Sequence, residues 1–245
     1  MSALVIVTLA FAPGIFWLWF FYKKDKWEPE PKRLIVETFI WGMLAVIPVA
    51  IVEYPFRSPW FAGAVVAAPI IEEFAKLLVV CLAVFKNVEF NEPMDGITYS
   101  AAAALGFASI ENSFYLLREY NDSASSGVIS LFLIRALLSV PGHVLFSSMW
   151  GYALGWSKFS KDKRPARLVL NGYLLAVGLH GLFNFLASRE LLGSLAMLLL
   201  AWIMWRTVLR KINTSLRASP FAHEETDAIL LSEEERGTEN DPNEE

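Results

Sequence analysis

The sequence predicts an all-α, polytopic transmembrane bundle of about seven spans, N-terminus outside and C-terminus inside, followed by a disordered acidic cytoplasmic tail. Three observations predict it. The chain of 245 residues is 55% hydrophobic and 14% aromatic, with mean hydropathy +0.43, too apolar for a water-soluble domain. Its apolar residues gather into runs of membrane-spanning length. Its basic residues gather into alternate loops.

The runs fall at roughly 3–21, 34–52, 60–85, 96–117, 128–156, 168–187 and 190–209. The first has no basic residue before it and no small-residue cleavage site after it, so it reads as a retained helix rather than a signal peptide. The third and fifth are longer than one crossing needs. Each contains a proline, Pro69 and Pro141, which removes a backbone donor and favours a kink. The fifth therefore reads as an interfacial stretch leading into the true span. Ala101–Ala104 with Gly106, Gly151 with Gly155, and Gly178 with Gly181 are small enough for close helix packing, which makes spans three to six one compact core. Trp17, Trp19, Trp27, Trp41, Trp60, Trp156, Trp202 and Trp205 lie mostly near segment ends, as an interfacial belt requires.

Lys23, Lys24, Lys26, Lys32 and Arg33 crowd the first loop, Lys158, Lys161, Lys163, Arg164 and Arg167 the fifth, and Arg206, Arg210, Lys211 and Arg217 follow the last run. The alternate loops, after the second, fourth and sixth runs, hold only Arg57, Arg118 and Arg189. The positive-inside rule sets the orientation from this asymmetry. Two regions follow: a membrane-embedded domain, residues 1–212, and a tail, 213–245, with ten acidic and two basic residues. The tail has too little apolar surface to order itself. Net charge is −4, and no nucleic-acid partner is expected. The single Cys81 excludes an intrachain disulfide framework.

Ionisable residues inside a membrane cost free energy and mark function by default. Glu72 and Glu73 sit near the centre of the third run, with Lys76 one turn on. On a helix Lys76 shares their side and holds one of them ionised, while two adjacent carboxylates push one another apart in proton affinity. A buried ion pair that only fixes packing is the plain alternative. Glu111 and Asn112 in the fourth run, His143 beside Pro141-Gly142 in the fifth, and His180 with Asn184 in the sixth weigh against it. Asp95 is expected to cap the fourth helix. Arg135 is expected to snorkel or to pair with a carboxylate.

The chemistry narrows by elimination. No span holds the two aspartates of an aspartyl protease, and neither His-Glu-x-x-His nor a Gly-x-Ser-Gly run occurs. Cys81 lies two turns or more beyond Glu73. Glutamate, histidine and asparagine remain. They suit either a carboxylate-activated water or a zinc ion held by Glu73, Glu111, His143 and His180. A membrane scaffold or transporter using the cluster as an ion site is the non-enzymatic alternative, though no internal repeat supports it.

Four ordered motifs resemble those of the PrsW family of glutamic-type intramembrane proteases. They are Glu72-Glu73-Phe74-Ala75-Lys76; Asp95-Gly96-Ile97-Thr98-Tyr99 running to Gly106-Phe107-Ala108-Ser109-Ile110-Glu111-Asn112; Arg135 to Pro141-Gly142-His143-Val144-Leu145-Phe146-Ser147 with Gly151-Tyr152-Ala153-Leu154-Gly155; and His180-Gly181-Leu182-Phe183-Asn184. The resemblance covers about residues 60–190. It implies kinship with type II CAAX prenyl proteases, a multi-pass cell-membrane location in the lipid bilayer, and proteolysis of membrane-anchored protein substrates. In some members these are anti-sigma factors cut on the extracytoplasmic side. It places Glu72, Glu73, Glu111, His143, His180 and Asn184 in the catalytic motifs, with Lys76, Asn112 and Arg135 supporting, and no cofactor is expected, zinc being the alternative. Glu111 stands where the CAAX enzymes carry a histidine.

Overall fold

The computed structural model describes residues 2–159 and 164–222, and every regular element among them is helical. Seven α-helices follow in order: α1 (Ala3–Tyr22), α2 (Lys32–Glu53), α3 (Ala68–Ala83), α4 (Asp95–Ile134), α5 (Val140–Phe159), α6 (Pro165–Ala187) and α7 (Leu191–Arg217). Five stretches are long and apolar enough to cross a membrane: Leu4–Tyr22, Lys32–Phe56, Gly127–Phe159, Pro165–Ala187 and Leu191–Arg217. The predicted third and fourth spans are helical too, but they carry the charged residues of the site and so fall short by composition. They are also the buried centre. Residues from Ile97 to Ala108 are almost wholly enclosed, and α4 packs against α1, α2, α3 and α5.

Small residues bring the helices this close. A Cβ on Gly106 would run into the Phe39 carbonyl of α2, and one on Gly151 into Ser100 and the Gly96 carbonyl of α4. Gly178, by contrast, has nothing within 4 Å, so it is not a packing glycine. The chain reverses direction within α4. Arg135 Nε donates to Asn112 Oδ1 at 2.8 Å across 23 residues, which a straight helix would hold about 34 Å apart.

Both expected proline effects take the same form. Pro69 follows a π-helical segment, Phe61–Ala67, and Pro141 follows another, Arg135–Ser139. In a π-helix the donor five residues on bonds each carbonyl, so each proline orphans the carbonyl five residues before it. A side chain from another helix supplies the missing N–H each time. Asn184 Nδ2 of α6 donates to Ala64 O at 2.9 Å, and Trp17 Nε1 of α1 donates to Ala136 O at 3.0 Å.

Two expectations need correction. Asp95 does not cap α4. Its Oδ2 instead accepts from the backbone N–H groups of Asn91 and Glu92, fixing the loop before the helix. The boundary at residue 213 falls inside α7, which runs to Arg217 and buries Ser215 and Leu216. Residues 223–245 of the predicted tail lie outside the described residues.

Candidate active site

α3 supplies Glu72, Glu73 and Lys76, and all three are buried. Spacings of three and four residues put Lys76 under both carboxylates. Its Nζ donates to Glu73 Oε1 at 2.9 Å and Glu72 Oε2 at 3.3 Å. It also lies 3.0 Å from His143 Nδ1 and 4.5 Å from the centre of the Phe107 ring. An ammonium only donates, so His143 Nδ1 accepts and the ring proton sits on Nε2. That nitrogen faces Glu111 Oε2 at 2.9 Å.

The two glutamates differ sharply. Glu73 is sealed in, 0% exposed, and both its oxygens are engaged. Oε2 accepts from Ser147 Oγ at 2.7 Å and Trp150 Nε1 at 3.0 Å, while Oε1 takes Lys76 and faces His180 Nδ1 at 3.2 Å. Glu72 lies on the wall of a cavity of about 810 Å³, with His143, His180, Glu111, Arg135 and Asn184. The cavity reaches Arg57, Trp60, Arg118 and Ser188, at the end of the bundle opposite the loop of Lys23 to Arg33.

Facing the Glu73 carboxylate, His180 Nδ1 carries the proton, which leaves Nε2 as the free nitrogen. It stands 4.0 Å from Glu72 Oε2. Phe146 stacks on the His180 ring, centroids 4.6 Å apart and planes 15° apart, and fixes its tilt. Arg135 pairs with a carboxylate, as one of its two expected roles required: Nη2 donates to Glu111 Oε2 at 3.0 Å. Its guanidinium lies over the Tyr115 ring, and Asn112, which holds its Nε, is itself tied to Ala10 O at 3.0 Å.

The structure thus brings every predicted site residue to one place, and it adds others. Ser147 and Trp150 hold Glu73, and Glu53, at the end of α2, lines the cavity. The signal for the first two was in the sequence: positions 143, 147 and 150 recur on one helical face. Trp150 stood outside both the interfacial tryptophans and the four motifs, and so was given no role. Glu53 had no such signal, since it sits at the end of its run.

Comparison with known proteins agrees with the family resemblance. Residues 30–209 match the family described as "PrsW family intramembrane metalloprotease". This chain belongs to the PrsW family. It is 35% identical to Protease PrsW of Geobacillus kaustophilus (strain HTA426) over 213 residues, 85% of this chain and 91% of the relative. It is 31% identical to Protease PrsW of Bacillus subtilis (strain 168) over 188 residues, 75% and 83% of the two chains. The protein of that name from Oceanobacillus iheyensis is 35% identical over 219 residues, 86% and 97%. No solved structure matches. Family membership makes the chain a multi-pass membrane peptidase, with protein substrates and a lipid environment.

The family description names a metal, and the donor set can be tested against one. The set differs from the expected Glu73, Glu111, His143 and His180: Glu72 is the carboxylate that joins the two histidines, each placing a ligand atom within 4.8 Å of the others. Two histidines and a carboxylate are a common catalytic zinc set. The far nitrogen of each histidine faces a further carboxylate, Glu73 for His180 and Glu111 for His143, as metal-bound histidines usually require. The residues fit, with one competitor: Lys76 Nζ already occupies His143 Nδ1.

Proposed function

We propose that this PrsW-family peptidase cleaves membrane-anchored proteins with a water molecule activated by Glu72. The observation that carries the reading is the split between the two glutamates: Glu72 on the cavity wall, Glu73 enclosed beneath it. A water bridging Glu72 Oε2 and His180 Nε2 attacks the scissile carbonyl carbon. Its proton passes to Glu72, its oxygen bonds the carbon, and the carbonyl oxygen takes the negative charge. Asn184, with one Nδ2 hydrogen spent on Ala64 O, keeps a second for that oxyanion. Collapse of the tetrahedral intermediate breaks the C–N bond, and Glu72 returns the proton to the leaving amine. Lys76 keeps the carboxylate pair compensated throughout. Glu73 orients His180, and Arg135 with Glu111 orients His143.

With zinc bound by Glu72, His143 and His180, the metal would supply Lewis-acid activation of the water and of the carbonyl. The second reading is favoured by the carboxylate behind each histidine.

The proposed orientation puts the N-terminus and the mouth of the cavity outside the cell. A substrate anchored by a single span, of which an anti-sigma factor is one kind, would then be cut on its extracytoplasmic side. The test compares membrane-protein fragments in cells expressing wild-type and Glu72→Gln protein. Fragments confined to the wild type, ending in or beside a span, are expected; identical fragment sets overturn the reading. Elemental analysis of the purified protein separates the two chemistries. About one zinc per chain, lost with activity in His180→Ala, selects the metal; full activity after chelation, with no zinc, selects the carboxylate alone.

A further inference from the structure

At the other end of the bundle, beneath the basic first loop, lies a second acidic cluster that the proteolytic reading does not use. Asp25 and Glu30 come from the α1–α2 loop, Glu92 from the α3–α4 loop, and Asp95 from the first turn of α4. All four are at most 3% exposed. None of the ion pairs among the described residues includes any of them. Lys158, the cation whose field reaches Asp95, donates its Nζ to the carbonyls of Phe85 and Phe90 instead.

The hydrogen bonding of these carboxylates follows one rule. Each of three spends a single oxygen on the protein. Thr98 Oγ1 donates to Asp25 Oδ2 at 3.1 Å, the Tyr99 hydroxyl donates to Glu30 Oε2, and the Asn91 and Glu92 N–H groups donate to Asp95 Oδ2 at 2.6 and 2.8 Å. The remaining oxygens, Asp25 Oδ1, Glu30 Oε1 and Asp95 Oδ1, are buried without a hydrogen-bond donor among the described residues. Glu92 adds an independent sign. It faces Asp25 and lies beside the Ser219 hydroxyl, is wholly enclosed, and neither oxygen has a partner within hydrogen-bond distance among the described residues. Unpartnered buried carboxylate oxygens are among the costliest groups a fold can hold.

We propose that Asp25, Glu30, Glu92 and Asp95 form a binding site for a hard divalent cation, calcium or magnesium, which clamps the α1–α2 and α3–α4 loops to the start of α4. Oxygen-only donors suit such ions and disfavour zinc or copper. Asp25, Glu30 and Asp95 each offer an oxygen within 4.8 Å of the others. Oxygens on opposite sides of a calcium ion stand about 4.6–5.2 Å apart, and around magnesium about 4.1 Å. The bonds from Thr98, Tyr99 and the loop backbone aim each carboxylate, the role of outer partners around a metal. Without a cation the cluster holds protons instead: burial and neighbouring acids push Asp25 up to about 9 and Glu30 up to about 10.

The site is independent of the peptidase reading, and its test needs no substrate. The full chain, purified in detergent and stripped with EDTA, is titrated with terbium under ultraviolet excitation. Tyr99, hydrogen-bonded to Glu30, serves as sensitiser. Sensitised emission saturating at about one ion per chain is expected, displaced by calcium or by magnesium, with a melting temperature that rises with the displacing ion. Whichever displaces at the lower concentration is the better ligand. Asp25→Asn and Glu92→Gln should weaken terbium binding on the order of tenfold or more. Among the described residues Glu92 takes no backbone N–H and has only Asp25 and the Ser219 hydroxyl beside it, so Glu92→Gln perturbs the fold least and keeps the test interpretable. His180→Ala should retain the signal. Emission that does not saturate, that survives Asp25→Asn and Glu92→Gln unchanged, or that disappears in His180→Ala overturns the proposal.

Discussion

Two buried acidic clusters occupy the same bundle and are neutralised in opposite ways. Around Glu72, Glu73 and Glu111 the protein supplies its own cations, Lys76 and Arg135, and its own donors, Ser147, Trp150 and two histidines. Around Asp25, Glu30, Glu92 and Asp95 the described residues supply hydroxyls and backbone N–H groups, and leave oxygens unmatched. The first cluster borders a cavity that a substrate can enter; the second is closed by loops. On the proposed mechanism, a built-in cation keeps the reacting carboxylate in place yet available. A cluster without one needs a visitor, a proton or a metal, and so ties stability to its surroundings.

The comparison breaks most visibly at Lys76. Lys76→Met takes the ammonium from two buried carboxylates and a histidine, and removal of one partner from a buried ion pair costs about 3–5 kcal/mol. We expect a large drop in melting temperature in detergent. Adding Glu73→Gln to Lys76→Met should restore part of it, since a neutral amide no longer needs the cation. A Lys76→Met protein as stable as wild type would show that the internal compensation is not structural. No single carboxylate change at the other cluster should cost as much in the presence of millimolar divalent cation.

Within the first cluster, Glu72 and Glu73 should separate. Glu72→Gln removes a base at the cavity wall and should lower cleavage by about 10²–10⁴-fold while melting stays near wild type. Glu73→Gln should lower both, because on either side the new amide nitrogen would meet a group that only donates, Lys76 or Trp150. Equal thermal stability of the two variants would remove the distinction between a cavity-wall base and an enclosed anchor. Trp150→Phe is gentler. It deletes one hydrogen bond to a charged group, worth about 1.5–3 kcal/mol, and leaves Ser147 in place. Its activity should fall less than that of Glu72→Gln, with the loss in kcat because His180 is less firmly held.

Sequence and structure agree best where polarity is out of place. Glu72, Glu73, Lys76, Glu111, His143 and His180 stand out because a membrane penalises them, and the fold gathers all six. The proline kinks were legible as well, though not their repair by Asn184 and Trp17, which depends on helices far apart in the chain. The second cluster was invisible for the opposite reason. Asp25, Glu30 and Glu92 lie in polar loops, where acids are ordinary, and only tertiary packing shows that these are enclosed. The reversal inside α4 was legible too, as the polar gap between the runs at 96–117 and 128–156, and the structure shows it where Arg135 meets Asn112.

The smallest effects should come from the C-terminus, and they bear on the second cluster. Two truncations separate its parts. Removal of residues 223–245 takes away much acidic charge and no residue placed at either cluster. Melting should stay near wild type, and cleavage of a detergent-solubilised substrate should stay within about twofold. Removal from Asn213 onward is different. It deletes the last turn of α7, with Ser215 and Leu216 buried, and Ser219, which lies beside Glu92. That protein should melt lower and bind terbium more weakly, yet keep catalysis at temperatures where it stays folded, because the cavity is at the far end. A loss of catalysis in the folded shorter protein, with terbium binding intact, would mean that the C-terminal segment supports the catalytic cluster rather than the acidic one.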